Sequence, residues 1–186
     1  MEDKLTSIVL EGIKREDRKC QEMLYKQFYS YGMGICLWYS STREEAVEIL
    51  NDGFMKVFQK IGQYNPEKPF KKWFRRILIN SAINYYKKNI KHNHWGLEVI
   101  QEPTSYENDV LGQLSYKEII QLIQHLPLAY RTVFNLYVIE GYKHEEIAGL
   151  LSITVGASKS NLSRARANLR GMLKTNHEEG ATKHGR

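Results

Sequence analysis

Cysteine, proline and long apolar runs are all scarce in this chain, and each shortage removes a class of protein. Two cysteines occur in 186 residues, Cys20 and Cys36. Both sit among apolar or aromatic neighbours and read as free, partly buried thiols, so neither a disulfide scaffold nor a C-x-x-C metal or redox motif is available. The four prolines fall at Pro66, Pro69, Pro103 and Pro127, which leaves long uninterrupted stretches for helices. No apolar run approaches the ~20 residues of a membrane span. The start, MEDKLTSIVLEGIKRED, has no basic stretch followed by an apolar core. These absences predict a soluble, cytoplasmic protein. Motifs of catalysis are missing too: there is no G-x-x-x-x-G-K-[ST] and no G-x-S-x-G. His92 and His94 lie two apart, poor helical spacing for one metal, while His125, His144 and His177 are scattered. No cofactor, no metal, no catalytic residue and no small-molecule substrate are expected, and the chain reads as a non-enzyme.

Acidic residues are nearly absent from one segment. The chain carries a formal net charge of +6, unevenly spread. Residues 1–62 have a net charge of −1, whereas residues 63–95 hold eight basic side chains against one acidic, a net of +7. Residues 96–130 then fall to −4, and residues 131–175 return to +4. Two basic blocks separated by an acidic one suggest two contacts with a polyanion.

Helical periodicity runs almost throughout. Leu5, Ile8, Val9 and Gly12 suggest a short first helix. A second spans Asp17 to about Tyr39, burying Leu24, Phe28, Tyr31, Ile35 and Trp38. Thr42 followed by Glu45 fits a capping box, and Ala46, Val47, Leu50, Phe54, Val57, Phe58 and Ile61 repeat behind it. Pro66 and Pro69, with Gly62 and Asn65, end that helix. The next runs from Phe70 to about Lys91. Asn93 to Leu111 lacks periodicity and reads as a linker. Four more helices follow, at about 114–125, 127–139, 144–151 and 155–174, with Pro127 fitting a first helical position. No convincing β alternation appears. The fold class is therefore all-α: two small helical domains joined by a flexible acidic linker, the second a helix-turn-helix domain. The expected spans are 1–94 for the first domain, 95–111 for the linker, 112–175 for the second domain and 176–186 for a disordered tail.

The most informative stretch is Gly141 to Leu173, GYKHEEIAGLLSITVGASKSNLSRARANLRGML. It reads as a short helix, a tight turn and a longer basic helix. Ile147, Ala148, Leu150, Leu151, Ile153, Val155, Leu162, Leu169 and Leu173 supply its apolar positions. Lys159, Arg164, Arg166 and Arg170 lie largely off that stripe, with Ser158, Ser160, Asn161 and Ser163 among them. A helix with one apolar face and one face of short polar and basic side chains suits a DNA major groove, where amides and hydroxyls bond base edges and arginines reach guanines or phosphates.

Three stretches together resemble the extracytoplasmic-function sigma factors of the bacterial sigma-70 family, over about Asp17 to Leu173. In the first, EAVEILNDGFMKVF (45–58), the resemblance implies a helix that binds core RNA polymerase at the β′ clamp helices, with Glu48, Asn51, Asp52 and Phe54 as contacts. Gly53 departs from the family pattern and costs roughly 1 kcal/mol of helix propensity, in exchange for a close approach of a neighbour. The second, FKKWFRRILINSAINYYKK (70–88), is similar to the family's −10-reading helix. It implies promoter contacts from Tyr64, Lys71, Lys72, Arg75, Arg76, Asn80, Asn84, Lys87 and Lys88, with a base of the non-template strand flipped out near the 62–69 loop. Asn84 stands where aspartate is usual.

The third is the helix-turn-helix itself. Leu126, Pro127, Val133, Phe134, Gly141, Glu146, Ile147, Ala148, Gly156, Ser160 and Ala165 fit the family's −35-reading domain. The implied contacts are Arg131, Lys159, Ser160, Asn161, Ser163, Arg164 and Arg166, with Arg131 and Arg166 on phosphates. Lys143 replaces a capping serine, so a capping box with Glu146 is expected to be lost. Asn161 replaces an arginine, and asparagine is better suited to adenine. The resemblance further implies bacterial core RNA polymerase (β′ clamp helices and β flap), promoter DNA and an anti-sigma factor as partners. The alternative is a stand-alone helix-turn-helix transcription regulator, which leaves the first domain and its +7 segment unassigned.

Overall fold

The computed structural model of the protein describes residues 2–92 and 116–183, with side chains described over 8–90 and 116–173. The expected linker at 95–111 and the end of the tail lie outside the described residues. Among the described residues every regular element is helical. The chain divides into two compact units, the division falling after Tyr85.

In the first unit α1 (Glu2–Lys14) leads through a tight reversal at Glu16 (φ 60°) into α2 (Arg18–Tyr39). Asp17 caps α2 by accepting from the backbone N–H groups of Lys19 at 2.8 Å and Cys20 at 3.3 Å. Such a cap satisfies donors that a helix start otherwise leaves open. The helix α3 (Arg43–Lys60) opens on Thr42, whose Oγ1 accepts from Glu45 N–H at 3.3 Å. The Glu45 carboxylate reaches back to the Ser41 N–H at 2.6 Å, one residue beyond the usual capping-box partner. A single 3₁₀ turn (Ile61–Gln63) and an Asn65-centred turn lead into α4 (Phe70–His92), whose end from Tyr86 on lies past the division. The core gathers Leu24, Phe28, Leu50, Phe54, Val57, Phe74 and Leu78, all less than 5% exposed. Gly53 faces Leu78 so closely that a Cβ would collide with Leu78 Cδ2. The close approach expected from the sequence is therefore present, and it lets α3 and α4 meet.

The second unit holds α5 (Tyr116–Gln124), α6 (Leu128–Phe134), α7 (His144–Leu151) and α8 (Val155–Lys183), with α6 and α7 both packed on α8. Pro127 stands one position before the expected place. Its backbone is extended (φ −51°, ψ 144°), and its carbonyl accepts from Arg131 N–H at 2.9 Å, so it caps α6 rather than beginning it. The helix expected to run to Ile139 changes character at Asn135. Residues Asn135–Ile139 form a π-helical stretch, with Glu140 N–H reaching back to the Asn135 carbonyl at 3.0 Å. Gly141 then turns the chain at φ 76°, a region that favours glycine.

The turn of the helix-turn-helix runs through Ser152 in the left-handed region and Thr154. Thr154 Oγ1 caps α8 by accepting from Ala157 N–H at 3.0 Å. The Glu146 carboxylate accepts from Lys143 N–H at 2.7 Å, so half of the capping box survives. The other half is missing because an ammonium has no lone pair to offer a backbone N–H. α8 continues past Asn176, where the sequence places the start of the tail, as far as Lys183. No proline interrupts that segment.

Candidate nucleic-acid interface

The two basic helices present their polar groups in different ways. α4 is nearly enclosed in its middle. Ile77, Leu78, Ile79, Ser81, Ala82, Ile83 and Tyr86 are all buried, and between Ile77 and Tyr86 only Asn80 and Asn84 are exposed. Lys72 and Arg76 precede them at the same four-residue step and are exposed as well. Four residues on a helix advance about 6 Å and rotate about 40°. The set Lys72–Arg76–Asn80–Asn84 is therefore a slowly winding stripe about 18 Å long. Lys87, half-buried, and Lys88, exposed, come next on the same helix. Two cations followed by two amides offer phosphate attraction at one end and paired donor–acceptor groups in the middle.

The other sequence-predicted residues of this region are more engaged. Lys71 is exposed, but its ammonium lies 5.9 Å from the Tyr31 ring centroid, and Tyr31 OH donates to the Lys71 carbonyl at 3.3 Å. Arg75 is half-buried. Tyr64 is half-buried too. Its ring meets Phe70 at 5.6 Å and Trp73 at 5.2 Å, and its hydroxyl donates to the Lys68 carbonyl at 2.5 Å. The tyrosine therefore closes the 62–69 loop onto the start of α4.

α8 has a broad outward face. At about 100° per residue, Lys159, Ser160, Ser163, Arg164, Arg166 and Arg170 fall within an arc of roughly 160°, and all six are exposed. Ser158, Leu162 and Ala165 are buried on the opposite side. Asn161 is half-buried, at the margin between the two. Ser158, grouped with the polar face in the sequence, turns inward and bonds His144 Nδ1 at 2.9 Å. Arg164 is also within 3.4 Å of the Tyr130 hydroxyl. Arg166 lies 6.0 Å from the Tyr137 ring, which stacks on His144 at 4.6 Å.

Two expectations need correction. Arg131 is 1% exposed, and its Nη1 donates to the Gln124 carbonyl at 2.9 Å. The guanidinium ties the end of α5 to α6 inside the unit and is turned away from any phosphate. Phe54 is also 1% exposed, with its ring 4.6 Å from Tyr25 and 4.8 Å from Phe74. It belongs to the core beneath α3 rather than to a docking surface. The outward face of α3 instead carries Glu48, Asn51, Asp52 and Met55, the last 56% exposed. Sequence reasoning missed Met55, although its i, i+3, i+4, i+7 relation to the other three marks the same face.

Comparison with known proteins gives this geometry a family. Residues 24–91 match Sigma-70 region 2, and residues 116–169 match Sigma-70, region 4. The chain is 25% identical over 179 residues to the ECF RNA polymerase sigma-E factor of Haemophilus influenzae, covering 89% of this chain and 94% of that protein. It is 24% identical over 170 residues to the RNA polymerase sigma-H factor of Pseudomonas aeruginosa, covering 85% of this chain and 88% of that protein. Among solved structures, the sigma factor RpoE in complex with the anti-sigma factor NepR from Bartonella quintana is similar at a TM-score of 0.48 and 22% identity, over 82% of this chain and 96% of that one. The two family matches follow one another along the chain, and the chain belongs to the sigma-70 family, in its extracytoplasmic-function group. Its function is that of an RNA polymerase sigma factor. No described helix is long and apolar enough to cross a membrane.

Proposed function

We propose that the two units divide promoter recognition between them. Residues 1–94 bind core polymerase through α3 and the −10 element through α4. Residues 112–175 read the −35 element through α8, and residues 95–111 join the two. The observation that carries this reading is the contrast in exposure: two amides along the otherwise enclosed middle of α4, between basic residues at either end, against a broad basic and hydroxyl face on α8. Strand separation costs stacking and pairing energy, which a few well-placed contacts to an unstacked base offset. Asn80 and Asn84 supply those contacts, with Lys71, Lys72, Arg75, Arg76, Lys87 and Lys88 on phosphates and the half-buried Tyr64 beside them.

A duplex groove needs a wider face. Lys159, Ser160, Ser163 and Arg164 provide base-edge contacts, Arg166 a phosphate contact, and Asn161 a contact at the margin. On α3, Glu48, Asn51, Asp52 and Met55 meet the β′ clamp helices, while the second unit meets the β flap. The protein works in the cytoplasm without a cofactor and catalyses no reaction itself. An anti-sigma factor that covers these faces completes the partner set. The stand-alone regulator reading leaves the polar faces of α3 and α4 without a use.

The test is in vitro transcription with bacterial core polymerase on a pool of genomic fragments, with and without the protein. Protein-dependent transcripts sharing two upstream elements are the expected result. Absence of both transcripts and polymerase binding would favour the stand-alone regulator.

A further inference from the structure

The outward polar groups of α3 are held from behind. Tyr25, on α2, donates its hydroxyl to Asn51 Oδ1 at 3.1 Å. That bond fixes the amide with its NH₂ directed away from Tyr25, as a donor. Burial, with Tyr29 alongside, pushes the Tyr25 pKa up, so the phenol remains a donor. Asp52 is held in the same manner. Lys56 donates to Asp52 Oδ2 at 2.5 Å and to the Ser81 hydroxyl of α4 at 3.0 Å. Ser81 is 1% exposed, so a buried group anchors the ammonium. Among the described residues no hydrogen bond reaches Asp52 Oδ1. The result is a preset pair: an amide donor at Asn51 beside a carboxylate acceptor at Asp52, each fixed by a neighbour outside the docking face.

We propose that Tyr25, Lys56 and Ser81 are positioning residues that preset Asn51 and Asp52 for a partner surface carrying a cation next to a hydrogen-bond acceptor. The inference rests on the reading of α3 as the polymerase-binding face. Groups ordered before docking lose less conformational freedom on binding, so the effect appears in affinity rather than in folding.

The test measures affinity of the full chain for purified core polymerase, with melting temperature measured alongside. Tyr25→Phe and Ser81→Ala each remove one hydroxyl and keep the packing. Each is expected to weaken binding about threefold to tenfold, with Lys56→Met similar to Ser81→Ala. The deciding arm uses double variants. Tyr25→Phe should have no further effect in an Asn51→Ala background, nor Ser81→Ala in an Asp52→Ala background. Losses that persist in those backgrounds, or single variants that bind normally, overturn the positioning role. Normal binding by Asn51→Ala and Asp52→Ala themselves removes the polymerase-binding reading of α3, and the inference with it.

Discussion

The helices α4 and α8 are both basic and both proposed to meet DNA, yet they are built on different plans. α4 sinks into its surroundings until only Asn80 and Asn84 emerge along its middle. α8 buries the narrow side marked by Ser158, Leu162 and Ala165 and turns six polar or basic residues outward. Few exposed groups suit an unstacked strand, where each captured base is met singly. A wide face suits a duplex groove, where adjacent base edges are read together. Net charge is a poor guide to this difference. It is larger in the 63–95 segment, at +7, than in residues 131–175, at +4, although the middle of α4 exposes only Asn80 and Asn84.

The largest expected effect comes from breaking the α8 side. Replacing Lys159 and Arg164 with alanine should cost about 1–3 kcal/mol for each good base contact, read as loss of binding to a −35 duplex. The α4 side should respond less per residue. Asn80→Ala and Asn84→Ala are expected to cost about 0.5–1.5 kcal/mol for each hydrogen bond lost, read as weaker binding of a single-stranded −10 oligonucleotide by the holoenzyme.

Two variants sharpen the comparison at the level of packing. Gly53→Ala should destabilise the first unit by about 1 kcal/mol, because overpacking against fully buried Leu78 outweighs the gain in helix propensity. Chemical denaturation would measure it. Lys143→Ser should stabilise the second unit by about 0.5–1 kcal/mol, since a hydroxyl completes the capping box that Glu146 already half makes. A thermal melt checks the sign.

The smallest effect near neutral pH concerns Cys36, whose pKa burial pushes up to about 12 from 9.0. The folded state then holds the proton more tightly than the unfolded state. The associated stability is present below pH 9 and declines as pH rises from there towards 12. Cys36 should resist alkylation at pH 8 in the folded protein and react once denaturant is added.

Local signals were legible in the sequence and tertiary ones were not. The Thr42–Glu45 pairing involves residues three positions apart, so the pattern carries it. Gly53 was legible as an anomaly, a costly residue in a helix that had to serve a close approach. Phe54 was misplaced because the apolar stripe of α3 does not say how far its neighbours reach over it. Tyr25 and Phe74 close over that ring from other helices. Arg131 was misplaced because the resemblance to a −35-reading domain carried it over as a phosphate contact, and nothing in the local sequence marks it as buried. Its burial depends on a carbonyl seven residues away at Gln124. Nothing in the sequence of Asn135–Ile139 announces a π-helical stretch.

The division of labour between α4 and α8 is tested most directly by binding each variant holoenzyme to two probes, a −35 duplex and a single-stranded −10 oligonucleotide. The Asn80→Ala, Asn84→Ala double variant should lose the single strand and keep the duplex. The Lys159→Ala, Arg164→Ala variant should do the reverse. Equal loss of both probes by either variant would contradict the account.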